Sequence, residues 1–86
     1  MKLVKLEWSD AVCDSGWNNI SYVKEKDVEH CITVGFLFHE TETAYYISNT
    51  LVKDDDGILG YNIIPKSMTI EIYEISDKKS ENITLE

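Results

Sequence analysis

The 86-residue chain contains no arginine and no glutamine, and its cations are eight lysines set against 16 aspartates and glutamates, a net charge of −8. A protein that follows the phosphates of duplex DNA needs a basic stripe, and this composition excludes one. Proline occurs once, at Pro65, and glycine four times, so neither collagen-like nor low-complexity structure is available. The two cysteines, Cys13 and Cys31, do not make a disulfide framework and are expected as free thiols of a reducing compartment. No apolar run approaches the length of a membrane-spanning helix, so no membrane partner is expected. Lys2 and Lys5 interrupt the N-terminus before a secretory apolar region can form, so a cytoplasmic location is expected.

What is present is β-forming material. The chain is 43% hydrophobic and carries five tyrosines and two tryptophans, enough for one small domain but near the lower size limit for a single apolar core. Val4, Leu6 and Trp8 alternate with Lys5, Glu7 and Ser9, the pattern of a half-buried strand, and Asp10 carries the Trp8 face to the rim. Cys13–Glu29 is irregular, with a turn signal at Asp14-Ser15-Gly16 and room for a turn or two of helix over Ile20–Asp27. His30–Glu40 reads as the longest strand, apolar on both faces and bent at Gly35. Ala44–Val52 reads as its return strand, Asp54-Asp55-Asp56-Gly57 as a solvated turn, and Ile58–Ile64 as a fourth strand. Pro65 cannot donate to a ladder and holds Ile64 extended, so Pro65-Lys66-Ser67 forms a corner before a fifth strand over Met68–Ile75. Residues 76–86 form a polar tail in which Ile83 and Leu85 leave room for a short strand or a subunit contact.

Five short strands with a 3-10 corner before the last predict an all-β or mainly β domain over residues 1–75, a small Sm-like or SH3-like barrel. The remaining edges of such a barrel can pair between subunits, so a homo-oligomer is expected.

No catalytic signature stands out, and a non-enzymatic protein without cofactor is expected. Cys13, His30, Cys31 and His39 match no compact zinc spacing, and adjacent His30 and Cys31 point to opposite faces of a strand. Asp54–Gly57 lacks the alternating ligands and closing glutamate of a calcium loop. Three features suggest binding. Trp8, Asp10 and Trp17 place two indoles and a carboxylate within ten residues, suited to stacking a base and accepting from an exocyclic amine, although core packing accounts for such aromatics as well. Lys66 and Ser67 offer an ammonium and a hydroxyl at the corner for a phosphate. The acidic residues Asp54–Asp56, Glu71, Glu74 and Asp77 suit a basic protein.

Trp8-Ser9-Asp10-Ala11, Gly16-Trp17, Thr33-Val34-Gly35-Phe36-Leu37 and Ile63-Ile64-Pro65-Lys66-Ser67, with the isoleucines that follow, resemble a group of small bacteriophage proteins over residues 4–75. The last element is similar to the final two strands of Sm-like barrels. The resemblance implies a phage protein acting in the host bacterial cytoplasm. It also implies an oligomeric sponge that sequesters a cyclic or modified nucleotide signal of host immunity without cleaving it. Its pocket would lie between subunits and use Trp8, Asp10, Trp17, Tyr45 and Lys66.

Overall fold

A computed structural model describes residues 1–76. They form one antiparallel sheet of five strands in the order β4-β3-β2-β1-β5. The strands are β1 (Lys2–Asp10), β2 (Glu29–Glu40), β3 (Ala44–Ser48), β4 (Asn62–Pro65) and β5 (Thr69–Glu74). A one-turn helix α1 (Ile20–Val23) lies in the β1–β2 connection, and a 3-10 turn (Lys66–Met68) separates β4 from β5. The mainly β class and the 3-10 corner agree with the sequence. The expected extra strand at Ile83 and Leu85 lies outside the described residues.

Barrel closure is not found: β4 and β5 are the two edges of an open sheet. The sheet is nevertheless rolled. In a flat sheet, edge strands four spacings apart stand about 19 Å from each other. A three-residue 3-10 link advances only about 2 Å per residue. It joins β4 directly to β5, and the Thr69 hydroxyl donates to the Pro65 carbonyl at 3.2 Å. The corner ends of the two edges therefore face each other without sharing a ladder.

The roll encloses a small core. Val4, Leu6, Ile47 and Ile64 are buried, and Trp8, Leu37, Tyr45 and Ile72 pack against them. The alternation in β1 produces this directly, because Val4 and Leu6 lie on the inner face while Lys5 and Glu7 turn outward. The sequence suggested a β2 buried on both faces, and this is corrected. Ile32 and Val34 are 63% and 49% exposed, because no second layer covers the outer face of the sheet among the described residues.

The expected third and fourth strands are shorter than the apolar runs suggested. β3 stops at Ser48, and the next ladder residue of β4 is Asn62. Between them the chain makes a separate small hairpin with one bridge, Leu51 to Ile58, closed by the Val52 N–H on the Gly57 carbonyl at 2.9 Å. Its tip turns at Asp54, whose φ of 62° lies in the left-handed region that Asp tolerates.

Candidate functional site

The residues grouped by the sequence fall in three places. Trp8 belongs to the core. Its side chain packs on the buried cluster and its indole N–H donates to Thr33 Oγ1 at 3.0 Å. That bond satisfies the one polar atom of the ring. Asp10 ends β1, exposed, and its Oδ1 accepts the Ala11 N–H at 2.9 Å, so the carboxylate finishes the strand as a local cap.

Trp17 sits elsewhere. Every residue from 11 to 28 is exposed, and the Trp17 side chain is fully so, at 104% of its reference area. Val12, Ile20, Tyr22, Val23 and Val28 are also exposed large apolar residues, so the insert displays apolar surface and does not bury it in the sheet. Local bonds hold the insert in shape. Asp14 Oδ1 accepts the Gly16 N–H at 2.8 Å, and Asn18 Nδ2 donates to the Gly16 carbonyl at 3.1 Å. These fix the turn that leads into Trp17. The bond from Gly16, with Asn18 second, holds the Asp14 carboxyl below its ordinary value of 3.8. Asn19 then caps α1, accepting the Ser21 N–H at 3.0 Å, and Lys26 Nζ stands 4.8 Å from the centre of the Tyr22 ring. Val12, Val23 and Val28 border a hollow of about 520 Å³ beneath this arch. Asp14, Asp27 and Lys26 also border it, and the insert and its two ends carry Asp10, Glu25 and Glu29 against Lys24 in sequence.

Tyr45 and Lys66 meet at the corner. Lys66 Nζ stands 5.0 Å from the Tyr45 ring centre, and its partner is Glu40 Oε2 at 2.6 Å. The hydrogen bond to Glu40, followed by charge attraction, raises the Lys66 ammonium above its ordinary 10.5. Ser67 is exposed beside it. A cavity of about 210 Å³ opens nearby, bordered by Lys2, Glu40, Tyr45 and Glu74. The cation expected to meet a phosphate is thus already neutralised, and two carboxylates border the cavity.

Within one chain the structure therefore brings Lys66 to Tyr45 at the corner, with Ser67 exposed next to Lys66 in the chain. It leaves Trp8 and Asp10 on β1 and sets Trp17 apart from both groups, without the two-indole cage. Glu40 at the corner was missed from sequence. Its signal was its place at the end of the longest strand, facing the only cation of the Pro65 turn. Among the described residues no three His, Cys, Asp or Glu side chains gather as a metal site, and both cysteines are free. Compared with known proteins, the chain matches no family model, no curated protein and no solved structure.

Proposed function

We propose that this chain is a non-enzymatic binding protein that docks on a basic partner protein through the Trp17 insert. One observation carries this: a fully exposed indole is held out on an insert whose turn and helix cap are made by its own side chains. Tryptophan is the residue most enriched among interface anchors, and a pre-ordered loop loses little entropy on docking. The acidic residues around the insert, within a chain of net charge −8, supply attraction for a basic surface. The phage source implied by the resemblance makes a bacterial host protein the natural partner.

The test uses immobilised chain in bacterial extract. A basic protein should be retained at low salt, released as salt shortens the screening length below about 8 Å, and lost with Trp17→Ala although that variant melts at the wild-type temperature. Retention unaffected by Trp17→Ala would refute the assignment.

A second function, sequestration of a cyclic nucleotide-type signal by an oligomer, is favoured by the Tyr45 ring bordering the corner cavity and by the β4 and β5 edges, which have no further strand partner among the described residues. Pairing of those edges between copies would complete a ring of Sm-like or SH3-like barrels. The neighbouring copy would then bring further donors to the corner. Such a protein should show a thermal shift with a cyclic nucleotide that is recovered intact after denaturation, and Lys66→Ala should abolish the shift. A panel without any shift excludes this function.

A further inference from the structure

β2 is longer than its partner on one side. β1 pairs with it from Glu29 to Leu37, whereas β3 pairs only from Phe36 to Glu40. From Glu29 to Val34 the edge that β3 would have covered has no ladder partner among the described residues, a run of about 17 Å at strand rise. Alternate residues of this run turn their N–H and C=O groups towards the open side.

The opposite wall is built. After Ser48 the chain leaves the sheet, and the Ser48 hydroxyl holds the departure by donating to the Gly60 carbonyl at 2.7 Å. Gly60, with φ of 71°, turns the returning chain into β4. Between β2 and this returning chain lies a groove of about 440 Å³, bordered by Ile32–Val34 on one side and by Asn49 and Gly60–Asn62 on the other. It begins where β3 ends and runs beside the free edge of β2. Asn49 and Asn62 are exposed there with amide groups that can both donate and accept. Ile32 and Val34 stand exposed on the outer face; Glu29 begins the uncovered run of β2, and the hairpin between Asn49 and Gly60 carries Asp54–Asp56 at its tip.

We propose that this groove is a strand-addition site for an extended basic polypeptide, which continues the line of β3 antiparallel to β2. Main-chain hydrogen bonds to the free edge hold the peptide, and its alternate apolar side chains lie beside Ile32 and Val34. Its lysines or arginines meet Glu29 and the aspartates of the hairpin tip. The site is separate from Trp17 and does not depend on docking there. A second copy of this chain is the competing occupant, because an exposed edge also templates self-association.

The test uses the blocked hexapeptide Lys-Val-Lys-Val-Lys-Val and the full chain. Titration followed by NMR should move the amides of Glu29–Val34 and Asn49 saturably, and alternate amides of Glu29–Val34 should gain protection from hydrogen exchange. The same peptide methylated on its edge-facing nitrogens should bind about tenfold more weakly or worse, since it cannot donate to the ladder. A Glu-Val counterpart should also bind more weakly, and Trp17→Ala should bind the probe as the wild type does. Equal binding of the methylated peptide, shifts confined to other residues, or no binding of the Lys-Val peptide would each overturn the proposal. So would dimerisation through Glu29–Val34 in the absence of peptide.

Discussion

Gly35 lies against the backbone of Ser48: a Cβ added to Gly35 would stand 2.6 Å from the Ser48 carbonyl oxygen and 2.8 Å from Ile47 Cγ2. The neighbouring pair, Phe36 with Ser48, is the last rung of the β2–β3 ladder. After Ser48, the last residue of β3, the chain departs from the sheet. The close approach lets the rolled half of β2 join its overhanging half, and it is the reason the strand carries a glycine there.

Gly35→Ala should therefore destabilise the fold by about 1–3 kcal/mol, the usual cost of forcing an atom into packed backbone. The urea midpoint should fall with an unchanged slope, since the surface exposed on unfolding is the same. A variant as stable as the wild type would show that β3 can withdraw from β2 at no cost.

Ser48 is the one buried polar side chain among the described residues, and its hydroxyl holds the hairpin to the sheet. It also receives the Thr50 N–H at 3.3 Å. Ser48→Ala removes both bonds and leaves their backbone partners to find water, at about 1–3 kcal/mol for a buried unsatisfied group. The effect should be local as well as global. Leu59, whose N–H donates to the Thr50 carbonyl, should exchange faster, while amides of the β1–β2 ladder follow only the change in global stability. Uniform acceleration throughout the chain would contradict a local pin.

The parts of this structure written in short-range pattern were legible. Alternation placed Val4 and Leu6 inside, and Pro65 marked the corner, because both depend on neighbours two residues away or fewer. What escaped depends on distant contacts. The apolar run Ala44–Val52 looks continuous, yet Ser48 ends it by reaching a carbonyl twelve residues on. Polar Asn49 and Asn62 inside apolar runs were the available signal for that departure and for the groove beside it. β2 is apolar on both faces, which gave no indication of which face would remain uncovered. Trp8 and Trp17 were grouped because they are close in sequence. The Trp8–Thr33 bond, across 25 residues, assigns Trp8 to the sheet and leaves Trp17 on the insert.

Two groups make alkaline stability informative. Tyr73 is pushed up to about 12, first by the hydrogen-bonding Glu71 carboxylate, then by burial and by charge from Glu71 and Glu7. Lys66 is raised by Glu40. For both, the folded pKa exceeds the unfolded one. Their contributions are complete below the ordinary values of 10.0 and 10.5 and are lost as pH rises through the folded ones. Phe at position 73 (Y73F) and Gln at position 40 (E40Q) should each flatten the decline of the melting temperature above about pH 10. A difference titration of phenolate absorbance between wild type and Y73F should place Tyr73 near 12. An unchanged decline in both variants would remove these groups as its cause.

The two indoles provide the most direct check on the division between sheet and insert. Trp8 is packed on Leu6 and its neighbours with its N–H bonded to Thr33, while Trp17 is fully exposed. An indole in water emits at longer wavelength than one packed among apolar side chains, and it is open to a dissolved quencher. Trp8→Phe leaves only Trp17, so that variant should emit like free tryptophan and be quenched nearly as fully by acrylamide. Trp17→Phe leaves only Trp8 and should emit to the blue, with quenching several-fold weaker. Stability should divide the same way. Trp8→Ala empties core volume and loses a hydrogen bond, a cost of about 3–5 kcal/mol at full burial and somewhat less for this half-buried ring. Trp17→Ala should leave the urea midpoint where it was, because no native contact is removed. If Trp17 proved blue-shifted and protected in the free chain, it would already be covered in solution and unable to serve as the anchor for a partner.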